Sequence, residues 1–134
     1  MRKTNTTLNP QLSRVISETG HTDLIVVTDA GLPISQHVER IDFAYRPGRP
    51  PFLDLLDTVL DEMVVEGVTV SSEIVEVSPA MFDEIKARFD RLGIEIELIP
   101  HIRFKERMKN ARAAVRSGEF TPYANVLLRA GVAY

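Results

Sequence analysis

The chain has 134 residues, a length that favours one domain spanning residues 1–134. It contains no cysteine, which excludes a disulfide scaffold, a thiolate metal site and a cysteine nucleophile. Its 16 Lys and Arg against 19 Asp and Glu give a formal net charge of -3, which argues against a general binder of nucleic acid.

The first half of the chain predicts helices on either side of a buried strand. Asn9 and Pro10 are typical of a helix start, and Gly20 predicts a left-handed stop for that helix. The unalternating apolar run 24–27 predicts a strand buried on both faces. The pattern that follows predicts a strand, a sharp chain break and a helix at 39–44, 46–51 and 51–63.

The segment after the second helix is rich in β-branched residues. Residues 64–77, interrupted by Gly67, predict one bent strand or two short ones. Ser78 predicts a helix cap with Pro79 in the first turn, and Gly93 predicts the end of that helix. A further helix is therefore expected between these two positions.

Three elements complete the chain. Residues 94–99 alternate between apolar and polar, which predicts a strand near a sheet edge. Apolar spacing predicts a helix over 102–116; its many basic residues could form a nucleic-acid face, but without interleaved aromatics a solvated face is favoured. A last strand is expected at 126–128. The alternation of strands and helices predicts an α/β fold, a three-layer helix–sheet–helix sandwich with a mixed, largely parallel sheet.

Neither a membrane span nor a secretory signal is visible in the sequence. The longest apolar run is four residues long and cannot cross a bilayer. Residues 1–12 carry two basic side chains but no apolar block. We therefore expect a cytoplasmic protein with no membrane partner, whose chemistry comes from histidines, carboxylates, hydroxyls and amides.

The standard motifs for phosphate, metal and serine-nucleophile chemistry do not occur. The glycines are scattered singly, so there is no phosphate-binding loop. The histidines His21, His37 and His101 lack the close spacing of metal ligands, so no metal site is predicted. A nucleophile elbow of the form GxSxG is also missing.

Polar residues at the predicted strand ends are the candidates that remain. Asp29 follows the first strand, His101 follows the alternating strand, and Tyr123 and Asn125 precede the last one. Ligands bind beyond the carboxyl ends of strands in open α/β sheets, and these side chains can hold sugar hydroxyls. Each also has an ordinary structural explanation, as a turn, a helix cap or a packing residue. Together they suggest a small polyol site.

His21 lies before the first strand, whereas Asp29 follows it. If the chain between them is mostly extended, their side chains are about 20 Å apart. Two interpretations stay open at this point. His21 is a simple loop histidine, or a neighbouring subunit brings its own His21 to the site. We adopt the second as a hypothesis, which places the active site at a subunit interface.

Five segments stand out by their order: residues 20–23 (GHTD), 28–33 (TDAGLP), 40–42 (RID), 99–101 (IPH) with Phe104 and Lys105, and 117–125 (SGEFTPYAN). Together they resemble those of the D-ribose pyranase family, which is related to the L-fucose mutarotases. The resemblance covers essentially the whole chain. Gly31 within DAGLP, together with the PYAN block, favours the ribose branch over the fucose branch, whose blocks resemble DAHFP and KYGN.

The resemblance implies a role for each matching residue. His21 would be the general acid, and the sugar would be contacted by Asp29, His101, Tyr123, Asn125 and the backbone of Ala124. It also implies homo-oligomers, pentameric rings stacked into decamers, with active sites between subunits. The segment between Pro47 and Val77 matches only loosely, and no functional residue is assigned there.

The implied activity interconverts the pyranose and furanose forms of D-ribose by acid–base ring opening and reclosure. A histidine that titrates near neutral pH can supply or remove the protons, and neither metal nor cofactor is needed. His101 could orient the sugar or act as a second proton-transfer group. The alternatives are a mutarotase for another monosaccharide such as L-fucose, and a non-catalytic sugar-binding ring protein.

Overall fold

The computed structural model describes residues 6–134, in which six strands form one sheet. Residues 1–5 lie outside that range. They contain both basic side chains of the segment 1–12, in which no secretory signal is predicted. The helices are α1 (Pro10–Glu18), α2 (Phe52–Glu62), α3 (Ile74–Val77), α4 (Pro79–Arg91) and α5 (His101–Arg107), with a 3₁₀ turn at Met108–Asn110. The strands are β1 (Leu24–Thr28), β2 (Glu39–Asp42), β3 (Val65–Ser71), β4 (Ile96–Ile99), β5 (Ala113–Arg116) and β6 (Val126–Ala130).

The sheet has the strand order β2-β5-β1-β6-β3-β4. Strand β5 is parallel to both β1 and β2, and β3 is parallel to β4. Strand β6 runs antiparallel to both of its neighbours, β1 and β3. The predicted mixed, largely parallel sheet is therefore confirmed, and β4 lies at an edge as its alternating sequence indicated.

Helices cover the sheet on both faces. On β1, Ile25 and Val27 are buried in a core that includes residues of α1, α2 and α4. Val26, between them, points the other way and packs in a smaller core with Phe104 of α5 and Met108. Because successive strand residues face opposite sides, a strand buried on both faces needs the continuous apolar run seen here. The three-layer prediction is confirmed.

The prediction of a single helix over 102–116 is wrong. Helix α5 ends at Arg107, and residues 113–116 form β5 in the interior of the sheet. Ala113, Ala114 and Val115 are fully buried there, between β1 and β2. A short apolar run fits the helical and the strand period equally well. Residues 113–116 form a strand because the neighbouring edges of β1 and β2 complete their backbone hydrogen bonds.

Of the two predicted boundaries of α1, one is confirmed and one needs correction. Asn9 does cap α1, accepting from the Leu12 N–H at 2.8 Å. However, α1 ends at Glu18, and its C-cap Thr19 is extended, so Gly20 is not its left-handed stop. The positive φ in this loop belongs to Thr22, at 70°. The loop is held instead by the Asp23 carboxylate, which accepts from the Gly20 N–H at 2.9 Å.

The segment 64–77 contains one strand and a short helix rather than strands alone. The register shifts at Gly67, which confirms the predicted irregularity in β3, but α3 follows at Ile74–Val77. Ser78 does not cap α4 with its side chain; its hydroxyl donates to the Pro122 carbonyl at 2.8 Å. Gly93 follows α4 with φ 69°, as a left-handed stop requires.

Candidate active site

The candidate residues at the strand ends meet at one edge of the sheet. Strands β1 and β4 end just before Asp29 and His101 respectively. Strand β6 is antiparallel, so its start, preceded by Tyr123 and Asn125, lies at the same edge. Parallel strands with one reversed strand among them thus place four polar side chains together, as the strand order predicts.

Asp29 is held in a tight turn at the end of β1. Its Oδ1 accepts from the N–H groups of Gly31 and Leu32 at 3.0 and 2.8 Å. Its Oδ2 accepts from Asn125 Nδ2 at 3.2 Å, and its own N–H donates to Asn125 Oδ1 at 2.9 Å. These bonds fix the direction of the carboxylate before any ligand binds.

Asn125 is 1% exposed, and Ala124 is fully buried. Tyr123 has φ 63°, and its carbonyl accepts from the Asn125 N–H at 2.8 Å, so the chain turns sharply just before β6. This left-handed residue is what directs the Asn125 side chain back towards Asp29. With its methyl group in the core, Ala124 can offer a ligand only backbone atoms.

His101 begins α5, and its neighbours determine where its ring lies. Its backbone N–H donates to both Glu73 carboxylate oxygens at 3.0 Å, and its Nδ1 lies 2.8 Å from the Ser71 hydroxyl. The ring meets that of Tyr123 edge to face, with 5.0 Å between centroids, and stacks on Phe104 at 6.2 Å. The imidazole is thereby fixed on three sides.

The electrostatics keep His101 neutral and Glu73 charged. Burial lowers the pKa of His101, the Lys105 charge acts in the same direction, and the carboxylates of Glu73 and Asp29 oppose it. Burial disfavours ionisation of Glu73, but hydrogen bonds from the His101 and Glu73 N–H groups and the Ser72 hydroxyl bring its pKa below the usual value. At neutral pH the site presents a neutral imidazole beside carboxylates.

A cleft of about 430 Å³ opens beside Asp29. Arg116 forms part of its wall and donates from Nε and Nη2 to the Ala30 carbonyl at 3.1 and 3.0 Å. The same guanidinium donates to both carboxylate oxygens of Asp42 on β2. Arg116 therefore braces the turn that carries Asp29 against the outer strand.

His21 is not part of the cluster formed by Asp29, His101, Tyr123 and Asn125. Its loop follows α1, and the neighbouring Thr22 N–H donates at 2.9 Å to the carbonyl of Ala130, where β6 ends. Since Asn125 lies at the start of β6, His21 and the cluster lie at opposite ends of the strands. Five residues of β1, at about 3.3 Å each, separate His21 from Asp29.

His21 has its own partners at that edge. Its Nε2 lies 2.9 Å from Glu66 Oε2, and the other Glu66 oxygen lies 3.2 Å from Arg129 Nε. The His21 side chain is 54% exposed, so it is accessible to another molecule. The arrangement is a histidine held by a carboxylate on an open surface, with no candidate sugar-binding residue beside it in the same chain.

The sequence interpretation missed Ser71, Glu73, Glu66 and Arg116. The first three lie in the segment to which no function was assigned. A usable signal was present, because Ser71, Ser72 and Glu73 follow a β-branched run and so occupy the same kind of strand end as Asp29. The bonds of Arg116 to Ala30 and Asp42 could not be foreseen, because β5 was predicted as helix.

No helix within residues 6–134 is long and apolar enough to cross a membrane. Within the same range, no group of three or more His, Asp or Glu side chains is placed to hold a metal ion.

Comparison with known proteins shows similarity over the full length of the chain. Residues 1–133 match the RbsD / FucU transport protein family. A D-ribose pyranase of Laribacter hongkongensis is 48% identical over 132 residues, covering 98% of this chain and 99% of the relative. Another, from Geobacillus thermodenitrificans, is 45% identical over 130 residues and 97% of each chain.

Solved structures agree with the sequence comparison. The structure of Bacillus subtilis RbsD complexed with D-ribose matches with a TM-score of 0.94 and 40% identity, covering 100% of both chains. A fucose mutarotase from Streptococcus pneumoniae in complex with L-fucose matches with a TM-score of 0.79 and 26% identity, covering 95% of both. Of these two, the ribose-bound protein is the more similar in fold and in sequence.

Proposed function

The chain belongs to the RbsD / FucU transport protein family, and we propose that its activity is that of a D-ribose pyranase. It is an isomerase that interconverts the pyranose and furanose forms of D-ribose. The observation that carries this conclusion is 48% identity to a D-ribose pyranase over 98% of the chain. The fold match to a relative solved in complex with D-ribose supports the same proposal.

The reaction needs only proton transfers. The ring oxygen gains a proton and the anomeric hydroxyl loses one as the bond between the anomeric carbon and the ring oxygen breaks. The open-chain aldehyde then rotates, and a different hydroxyl attacks the carbonyl carbon, losing its proton while the carbonyl oxygen gains one. Carbon is neither oxidised nor reduced, so this isomerisation has no cofactor to consume.

The cluster at the sheet edge supplies sugar-binding groups. Asp29 offers a carboxylate whose direction is fixed by two backbone N–H groups and by Asn125. Beside the Asp29 carboxylate, His101 offers an imidazole and Tyr123 offers a phenol, with their rings in edge-to-face contact. In this proposal Asp29, His101, Tyr123 and Asn125 hold the ribose hydroxyls, with the Ala124 backbone as a further contact.

His21 is proposed as the general acid, acting on a neighbouring copy. A general acid must lie within hydrogen-bond reach of the proton acceptor, and β1 separates His21 from Asp29 in the same chain. The His21 side chain is exposed, so another subunit can contact it. The proposal therefore includes a homo-oligomer with sites between subunits. The family resemblance implies that this oligomer is a pentameric ring or a decamer, and a cytoplasmic location is also part of the proposal.

The test is exchange spectroscopy of D-ribose by NMR, with and without the protein. We expect faster exchange between pyranose and furanose signals, reduced about 10²–10⁴-fold by His21→Ala. The exposed His37 provides the matched control, because no contact of its imidazole with either set of groups occurs among residues 6–134, and His37→Ala should leave the exchange unchanged.

The same experiment separates the alternatives. Acceleration of L-fucose exchange with no effect on ribose would assign the chain to the fucose branch. No acceleration for either sugar, with binding retained, would leave a non-catalytic sugar-binding protein.

A further inference from the structure

The Ser71 hydroxyl has a single hydrogen-bond partner among the described residues, the imidazole of His101. Ser71 is the last residue of β3 and is fully buried. Its Oγ lies 2.8 Å from His101 Nδ1, and Oγ makes no other hydrogen bond among the described residues. The next inward-facing hydroxyl on this face of β3, that of Thr69, is used differently and donates to Glu97 at 2.8 Å.

The direction of the Ser71–His101 bond determines which ring nitrogen carries the proton. If Nδ1–H donated to Oγ, the buried Ser71 O–H would lack an acceptor, and an unpaired buried donor costs about 1–3 kcal/mol. If Ser71 donates instead, its hydroxyl is satisfied and Nδ1 acts as the acceptor. A neutral imidazole has one N–H, which then lies on Nε2.

We propose that Ser71 is a positioning residue that holds neutral His101 in the Nε2–H form, so that His101 donates a hydrogen bond to a sugar oxygen and does not act as the base. This inference rests on the proposed function, since it concerns how His101 meets the sugar. It also decides between the two roles left open for His101, orienting the sugar or transferring a second proton.

The surroundings of His101 make this donor directional. Glu73 holds the backbone at the root of the side chain, and the rings of Tyr123 and Phe104 limit rotation of the imidazole. Among residues 6–134, Nε2 has no hydrogen-bond partner, so its N–H is available to a ligand. With Nδ1 already accepting from Ser71 and Nε2 already protonated, no lone pair remains in the ring to take a proton from the anomeric hydroxyl.

The first test is ¹⁵N NMR of the sugar-free protein at neutral pH, which reports the tautomer without any enzymatic assay. We expect a wild-type His101 spectrum with the hydrogen on Nε2 and none on Nδ1. In Ser71→Ala we expect the Nδ1–H form to gain population and His101 to take up its second proton at higher pH, because a donor that stabilised the neutral ring is gone. Ser71→Thr, which keeps a hydroxyl, should restore both properties.

Thr69→Val is the matched control, because it removes a hydroxyl from the same face of the same strand and leaves His101 untouched. It should leave the His101 tautomer and titration as in the wild type. Wild-type His101 with the hydrogen on Nδ1, or Ser71→Ala titrating at the wild-type pH, would overturn the proposal. These outcomes are independent of whether the protein isomerises ribose.

The second test is kinetic. Loss of the Ser71 hydrogen bond should lower kcat/KM for ribose about three- to tenfold, with Ser71→Thr close to the wild type. If ribose exchange is not accelerated even by the wild type while the tautomer is as expected, the proposed function fails and the assignment of His101 stands. If Ser71→Ala retains full kcat/KM, the positioning role is overturned even where the isomerase activity is present.

Discussion

Asn125 bonds both the backbone and the side chain of Asp29, 96 positions away in the sequence. Its Oδ1 accepts from the Asp29 N–H at 2.9 Å, and its Nδ2 donates to Asp29 Oδ2 at 3.2 Å. The Asn125 side-chain amide therefore pairs with one donor, the N–H, and one acceptor, the carboxylate, of Asp29. This pairing joins the end of β1 to the start of β6 and fixes the carboxylate that faces the cleft.

Asn125→Ala should lower the free energy of unfolding by about 1–3 kcal/mol, because it leaves a part-buried Asp29 N–H without its acceptor. It should also weaken ribose binding, since the Asp29 carboxylate loses the amide that orients it. Urea unfolding and ribose titration measure the two effects. The exposed Asn110 is the control, and Asn110→Ala should change stability by less than about 0.5 kcal/mol. Equal stability of the two variants would refute the structural role of Asn125.

Gly118 is the point at which the loop before β6 touches the turn before α2. Its N–H donates to the Pro50 carbonyl at 2.9 Å, and its own carbonyl accepts from Gly48 at 2.7 Å. A Cβ at this position would overlap the backbone of Arg49. Gly118→Ala should therefore cost about 2–3 kcal/mol of stability.

Gly20→Ala is the control for this substitution. Gly20 is exposed, and the nearest atom to an added Cβ is 3.7 Å away, at Asp23. Thermal unfolding at one fixed protein concentration should show a clear drop for Gly118→Ala and almost none for Gly20→Ala. Equal midpoints for both variants would contradict the close approach of Gly118 to Arg49.

The stability of the protein should fall as the pH falls through the histidine range. Burial, and next the Lys105 charge, lower the pKa of His101, so the unfolded chain binds this proton more readily than the folded one. The loss of stability begins near the unfolded pKa of about 6.5 and continues until the pH reaches the lowered folded value. Carboxylates whose pKa is lowered, such as Glu73 and Glu97, contribute only at more acidic pH.

Urea unfolding at about pH 7.5 and about pH 5.5 measures this pH dependence of stability. His101→Gln, which cannot titrate, should show a smaller difference between the two conditions than the wild type. His37→Gln, at an exposed position, should keep the wild-type difference. A His101→Gln variant with an unchanged pH dependence would show that His101 titrates alike in both states.

Much of the fold could be predicted because local and tertiary preferences agree. Asn9 at the start of α1 and the apolar run of β1 are each sufficient to define their elements. The failure at 113–116 has a physical origin, since Ala113–Arg116 is too short to show a period, and its state depends on two strands distant in sequence. The predicted cap at Ser78 is wrong for a similar reason, because its hydroxyl donates to the distant Pro122 carbonyl and does not cap its own helix.

The site was predictable only in part. Asp29, His101, Tyr123 and Asn125 were expected together because strand direction alone brings their positions to one edge. Ser71 could not be tied to His101 from the sequence, since that contact depends on the pairing of β3 with β4, which places Ser71 opposite Ile99. His21 can complete the site only from a second copy of the chain. Spacing along the sequence suggests that a second copy is needed, but it does not determine where that copy lies.

Mixing two inactive variants tests the shared site most directly. One carries His21→Ala, and the other carries Asp29→Asn with His101→Ala, so each retains the half of the site that the other lacks. Dissociated together and allowed to reassemble in equal amounts, they should form about a quarter of interfaces with both halves intact, and ribose exchange should return in that proportion. Exchange that stays absent after verified co-assembly would contradict an active site built from two copies.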